Sequence, residues 1–250
     1  MVTTKQQLEN RQKRRLDEFN QSLSAVYRNF DKSRYPRPDL AEKLFKEWQN
    51  FDDLSDFEVE QMSNGTLKPS SPFLNWDCPG LILFGSPRSG KTQLACELAR
   101  QKITTGFADA RFISACQWAA ETTAKAKRCE LDDWTNQNVK FAYSREVDPG
   151  IIILDDLDKI RVSPSVQSQL FNFIEEITAN KLYLIVTTNV SSRELAGKFA
   201  PEFGSAIVAR LQEFCAPVDF NKFSTRKQAA DGVPIRSTKN KESLSVNDGS

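Results

Sequence analysis

The chain has 250 residues, 39% of them hydrophobic, which is enough for one sizeable core with flanking segments. Net charge is +1 and there is no histidine, so Ser-His-Asp or Cys-His catalysis and any His-ligated metal are excluded. The five cysteines (Cys78, Cys96, Cys116, Cys129, Cys215) are scattered without a Cys-x-x-Cys pair, so no zinc site is expected; free thiols in a reducing compartment are.

The N-terminal third is segregated by charge. Residues 1–30 are basic and residues 39–60 acidic, and the tail beyond Asn221 is basic again, which suggests separate surfaces for separate partners. From Lys5 to about Phe30, Leu8, Leu16, Phe19, Leu23 and Val26 recur at near-helical spacing and predict an amphipathic helix with one narrow apolar stripe. The prolines of "SRYPRPD" end it. A second helix is expected through Leu40, Leu44, Trp48 and Phe51, with Phe45 beside them, and "SNGTLKPSSP" (63–72) reads as a linker. The N-terminus has no leading apolar stretch, and no apolar run is long enough to span a bilayer; a cytosolic location is expected.

The middle of the chain alternates. Strands are predicted at "LILF" (81–84), "ARFIS" (110–114), "IIIL" (151–154), "LYLIVTTN" (182–189) and "APVDF" (216–220). Helices are predicted between them, at 90–104, 116–129, 163–178, 191–199 and 202–214, with a further helical stretch at 132–143. Ser163 is expected to cap the third of these, with Pro164 in its first turn. Near-continuous apolar strands alternating with helices imply a parallel sheet covered on both faces. From Asn221 to Ser250 apolar residues thin out, and disorder is expected.

"GSPRSGKT", Gly85 to Thr92, follows the first strand and opens the next helix. It fits G-x-x-x-x-G-K-[ST], in which a strand ends, the backbone N–H groups of a loop turn inward, and a helix begins at the phosphates. Gly85, Ser86, Pro87, Arg88, Ser89 and Gly90 would form the cradle, Lys91 would reach the β- and γ-phosphates, and the Thr92 hydroxyl would ligate Mg²⁺. Arg88 departs from the Gly that many such loops carry there. "IIILDDLD" then supplies carboxylates at the end of a buried strand: Asp155 beside the metal, Asp156 to orient and deprotonate an attacking water. Asp156 is a methylene shorter than the more common Glu, so slow, switch-like ATP hydrolysis is expected. "LIVTTN" ends in Asn189, able to hold that water near the γ-phosphate.

The succession "GSPRSGKTQLA", "IIILDDLDKI", "LIVTTNVSSREL" and "GSAIVARLQEF" resembles the AAA+ ATPases of the DnaC/IstB type, over about Gly80 to Phe220. These include helicase loaders and transposition ATPases, and they are relatives of the initiator DnaA. The resemblance implies a three-layer αβα P-loop NTPase with a parallel five-stranded sheet, the strand ending in Asn189 lying between those that carry Lys91 and Asp155. It also implies that a short N-terminal helical segment (1–75) docks a hexameric replicative helicase, ahead of an ATPase domain (76–220) and a basic, disordered tail (221–250). The sequence departs from the family past "VDFNKF", where little or no lid is expected and no second sensor Arg is assigned beyond the weak candidate Arg226. Arg210 would act on the neighbouring subunit's ATP, so the chain would self-assemble around nucleotide. Lys125, Lys127 and Arg128 would track single-stranded DNA, with Trp118 stacking on a base. The implied function is a replicative helicase loader in the cytoplasm of a bacterium or phage-infected cell; the alternative is a transposition ATPase that assembles on DNA and recruits a transposase.

Overall fold

The computed structural model describes residues 4–29, 35, 40, 42–44, 46, 80–105, 109–130, 150–180 and 182–221. The linker, the expected helix at 132–143, Trp48 and Phe51, Arg226 and the basic tail lie outside the described residues. In chain order the elements are α1 (Thr4–Ser22), α2 (Ala25–Arg28), β1 (Gly80–Phe84), α3 (Lys91–Thr105), β2 (Ala110–Ser114), α4 (Ala115–Lys127), β3 (Ile151–Asp155), a 3₁₀ turn (Leu157–Lys159), α5 (Pro164–Ala179), β4 (Tyr183–Thr188), α6 (Ser192–Ala196), α7 (Pro201–Phe214) and β5 (Cys215–Asp219).

The strands form one parallel sheet in the order β2-β3-β4-β1-β5. The apolar runs are continuous because both faces are covered. Leu81, Leu83, Ile151, Ile153 and Ile185 face α3, where Leu94, Leu98 and Ile103 are buried. Ile82, Ile152, Leu154, Leu184 and Val186 face the other way, onto Phe173 and Leu170 of α5 and Ile207 and Leu211 of α7. Each such side chain contributes about 1.5–3 kcal/mol on leaving water, so the two layers fix the register that brings the strand ends together.

The helix caps are local. The Ser163 hydroxyl accepts from the Val166 N–H at 3.3 Å, as its position before Pro164 predicts. Ser191 and Glu194 form a reciprocal capping box at the start of α6.

The N-terminal segment departs from expectation. α1 stops at Ser22, and Ser24 is extended before α2 begins. The break lets Leu23 turn inward to 2% exposure, beside Phe19 and the α3 side chains. The apolar stripe of α1 thus packs in part on α3 and β2. Arg15 follows it inward, 6% exposed and paired with Asp109 at 2.8 Å. Among the described residues no helix is long and apolar enough to cross a membrane.

Candidate nucleotide-binding site

β1, β3 and β4 end at the same edge of the sheet, and the chain leaves each of them through a polar turn. After β1 it folds back through Gly85–Gly90 before α3 starts at Lys91. Gly85 and Gly90 carry φ of 140° and 93°, angles that residues with a Cβ rarely adopt. A Cβ on Gly85 would also lie 2.9 Å from Cβ of Phe220. Arg88 has φ of 60° without glycine's freedom, a backbone cost of about 1–2 kcal/mol. Its side chain is exposed and borders the cavity.

Inside the loop the Lys91 ammonium donates to the carbonyls of Gly85 and Ser86 at 2.8 Å each, to Ser89 Oγ at 3.2 Å and to Asn189 Oδ1 at 3.1 Å. Burial pushes its pKa down, opposed by the charges of Asp156 and Asp158. The loop is anchored at its far side by Asn221, whose Oδ1 accepts from both the N–H and the hydroxyl of Ser86 at 3.0 and 2.8 Å.

The second wall comes from β3. Thr92 Oγ and Thr187 Oγ each donate to Asp155 Oδ1 at 2.7 Å, and Thr187 Oγ accepts from the Asp156 N–H at 2.9 Å. Burial raises the Asp155 carboxyl above its ordinary range, and the two hydroxyls oppose that rise. Asp156 has φ of 56°, and this left-handed residue turns the chain into the 3₁₀ turn. Its Oδ2 meets the Lys159 ammonium at 2.6 Å, and its Oδ1 accepts from Asn189 Nδ2 at 3.4 Å. Asp158, 9% exposed, accepts from the Asn189 N–H at 2.8 Å and from its Nδ2 at 3.2 Å. The sensor-like amide is therefore fixed by a carboxylate beneath it.

Between these walls lies a cavity of about 400 Å³, bordered by Arg88, Lys91, Thr92, Asp156, Lys159 and Asn189, and closed at one side by Tyr27 of α2. The Thr92 hydroxyl and Asp155 carboxylate are hard oxygen donors that suit Mg²⁺. Among the described residues no group of three or more His, Cys, Asp or Glu side chains could hold a metal ion. A Mg²⁺ here would complete its shell with phosphate oxygens and water, as that ion does at phosphate sites.

The structure thus brings together Gly85–Thr92, Asp155, Asp156 and Asn189. Arg210 is elsewhere, on the outer face of α7. Its Nε and Nη2 donate to Glu175 at 2.5 and 3.2 Å, and Nη1 donates to Glu213 at 2.7 Å. Lys125, Lys127 and Arg128 lie at the C-terminal end of α4, with Arg128 3.6 Å from Glu130. Trp118 does not join them. It is 2% exposed and packs on Phe173 with ring centroids 5.8 Å apart, so it cannot stack on a base. The reason is its place on the sheet-facing side of α4, which a list of nearby cations does not reveal.

Five residues of the site escaped the sequence reading: Tyr27, Asp158, Lys159, Thr187 and Asn221. Asp158 and Lys159 were legible only as part of "DDLDK". Thr187 was read only as part of an apolar strand's polar end, and its neighbour Thr188 instead accepts from the Val190 N–H at 3.3 Å.

A parallel sheet with a glycine-bounded Lys-Thr loop after its first strand and paired acids after its third defines a P-loop nucleoside triphosphatase. Residues 81–204 match the family "ATPase family associated with various cellular activities (AAA)"; the segment from β1 into α7 is an AAA-family domain. In sequence the chain is similar to the chromosomal replication initiator protein DnaA of Bordetella petrii, 22% identical over 162 residues that make up 62% of this chain and 31% of that protein. DnaA of Burkholderia cenocepacia is 24% identical over 136 residues, 53% of this chain and 24% of its own. The chain therefore spans a third or less of the curated relatives it matches. In fold it is similar to the DnaC helicase loader, with a TM-score of 0.55 and 17% identity, covering 78% of this chain and 99% of that one. It is likewise similar to DnaI, at 0.50 and 16%, covering 83% and 93%.

Proposed function

We propose that this chain is an ATP-binding, slowly hydrolysing AAA+ switch of DNA replication, which loads a hexameric replicative helicase onto single-stranded DNA. The observation that carries the reading is the convergence at one sheet edge of Lys91 on Asn189 (3.1 Å) and Thr92 on Asp155 (2.7 Å). Three strands with unrelated sequences have no structural need to deliver a cation, a hydroxyl, two carboxylates and an amide to one cavity.

In this reading the loop N–H groups and Lys91 hold the β- and γ-phosphates, the Lys exchanging its carbonyl contacts for phosphate oxygens. Bound Mg²⁺ supplies neutralisation of charge on those oxygens. Asn189, braced by Asp158, orients the attacking water. Asp156 accepts its proton once Lys159 has moved aside, and Arg210 of a neighbouring copy stabilises the charge that develops on the leaving phosphates. The fold similarity to the DnaC helicase loader over nearly all of that chain supports the choice of replication, as do the sequence relatives in the initiator DnaA.

The test is a pull-down of the full chain with the replicative helicase of its host, with ATP, with ADP and without nucleotide, alongside ATP hydrolysis with and without single-stranded DNA. Lys91→Ala should abolish nucleotide-dependent capture, and Arg11→Glu with Arg14→Glu, both exposed on α1, should weaken capture while leaving ATP binding intact. No helicase captured in any nucleotide state would sink the loader reading in favour of a transposition ATPase.

A further inference from the structure

Gly85 and Ser86 open the phosphate loop, yet the loop residues that border the cavity run from Pro87 to Thr92. The part the first two play follows from the peptide that joins them. Lys91 Nζ donates to the Gly85 carbonyl at 2.8 Å, and the Ser86 N–H donates to Asn221 Oδ1 at 3.0 Å. Among the described residues no peptide is cis, and in a trans peptide the carbonyl and the N–H point to opposite sides of one plane. The Gly85–Ser86 peptide is therefore gripped from both sides, by Lys91 from within the loop and by Asn221 from behind it. The Ser86 hydroxyl adds a second bond to the same Asn221 oxygen at 2.8 Å.

Asn221 is itself held in place. β5 ends at Asp219, whose Oδ1 accepts the Asn221 N–H at 2.9 Å in an Asx turn. Between them Phe220 is fully buried and donates its N–H to the Phe84 carbonyl at 2.8 Å, which carries the β1–β5 pairing one residue further. The two strand exits run so close that a Cβ on Gly85 would lie 3.2 Å from both the backbone nitrogen and Oδ1 of Asn221. The side chain is thus placed by the neighbouring strand, not by the loop that it holds.

The two grips respond differently to an arriving phosphate. Lys91 must leave the Gly85 and Ser86 carbonyls to reach it, whereas Asn221 is not among the residues bordering the cavity and has no such exchange to make. Pro87 has no N–H and the Ser86 N–H is spent on Asn221, so the loop donors that remain for phosphate begin at Arg88. Gly85, with no Cβ to restrict it, is where a released peptide plane would rotate. We infer that Asn221 is a positioning residue for nucleotide: resting on the ATP reading above, it keeps the Gly85–Ser86 peptide in place once Lys91 lets go, and with it the curvature of the loop around the phosphates. Its contribution is then larger with nucleotide bound than without, and it appears as affinity for ATP more than as stability of the fold. Asp156 and Asn189, on the opposite wall, act independently of it.

The experiment compares the full chain as wild type, Asn221→Ala and Asn221→Asp. It measures ATP binding well below every melting point, kcat at saturating ATP, and thermal melts. Asn221→Ala should weaken Mg²⁺–ATP binding about three- to tenfold, the worth of an ordinary hydrogen bond, with kcat changed by less than about twofold. Asn221→Asp keeps an oxygen on both Ser86 donors and should recover most of that loss at an ionic strength that screens its added charge. A lower melting point with ATP affinity unchanged in Asn221→Ala would make the bond structural only and overturn the inference. So would an Asp variant that binds no better than the Ala one, or a kcat that falls as far as the affinity. If the wild type itself binds no Mg²⁺–ATP, the reading on which this rests fails first, and the inference with it.

Discussion

The Lys159 ammonium lies 2.6 Å from one oxygen of Asp156, and the Asn189 amide lies 3.4 Å from the other. The acid assigned to take a proton from water is therefore held at both oxygens by the chain's own side chains. The hydrogen bond to Asp156 is what raises the Lys159 pKa. The pair is substantially exposed, with side chains 52% and 32% accessible, and such pairs hold by about 1 kcal/mol or less. A γ-phosphate entering the cavity can outbid Asp156 for that cation.

Lys159→Ala should therefore release the base. At saturating ATP, kcat is expected to rise about two- to fivefold, the range a contact of that strength allows, with KM changed less than kcat. Lys159→Arg should restore the wild-type rate. Steady-state hydrolysis by the three proteins decides the matter, and a fall in kcat for the Ala variant would instead make Lys159 a contact of the transferring phosphate.

Arg88 carries a backbone strain that glycine would not. Replacing it should relieve about 1–2 kcal/mol of left-handed strain and add about 0.5–1 kcal/mol of lost chain entropy. The net expectation for Arg88→Gly is a gain of about 0.5–1 kcal/mol, seen as a rise of about 1–4 °C in Tm. Because the side chain borders the cavity, ATP affinity measured on the same sample should fall if its charge faces the phosphates and stay level if it faces solvent. An unchanged or lower melting point would show that the turn relaxes in the wild type.

How far the sequence reached depends on what each residue responds to. Strands buried on both faces must be apolar throughout, so "LILF", "IIIL" and "LYLIV" were legible without their neighbours. The loop was legible because its glycines answer a local backbone demand. Thr187, Asp158 and Lys159 answer to partners on other strands or across a turn: Thr187 meets Asp155 only because β4 lies beside β3 in a particular register. α1 was legible only in part. Its apolar spacing was read correctly as a stripe, but periodicity says that a face is apolar and nothing about what covers it. Trp118 failed in the same way.

Asp155 is a charge placed where folding alone would not put one. Burial raises its pKa above the ordinary 3.8, so between the unfolded and folded values the native chain binds more protons than the unfolded one. By linkage, stability then falls as pH rises through that window and is unaffected below it. Asp155→Asn keeps an oxygen for the Thr92 and Thr187 hydroxyls and removes the ionisation. The metal-free variant should melt higher than the wild type at neutral pH, with the gap closing as pH drops toward 3.8. Its Mg²⁺-dependent ATP affinity should fall by about 10- to 100-fold, the scale of losing a partner of a metal ligand. Thermal melts across pH, paired with nucleotide binding, test both halves; a variant less stable at every pH would mean that the carboxylate is held by more than those two hydroxyls.

Arg210 lies outside the cavity of its own chain, and its fork is already engaged by Glu175 and Glu213. A role on a neighbour's nucleotide requires that fork to open. Two variants separate that role from a purely structural one. Arg210→Ala should leave ATP affinity unchanged and lower kcat by roughly 10³-fold, the low end for a cation supplied across an interface. Glu175→Gln, which keeps the shape and loses the charge, should free Arg210 and lower the protein concentration at which hydrolysis per chain reaches half its maximum. If Arg210 serves only to tie α7 to α5, both variants should lower the melting point and neither should alter the concentration dependence, because a bond internal to one chain does not feel how many others surround it.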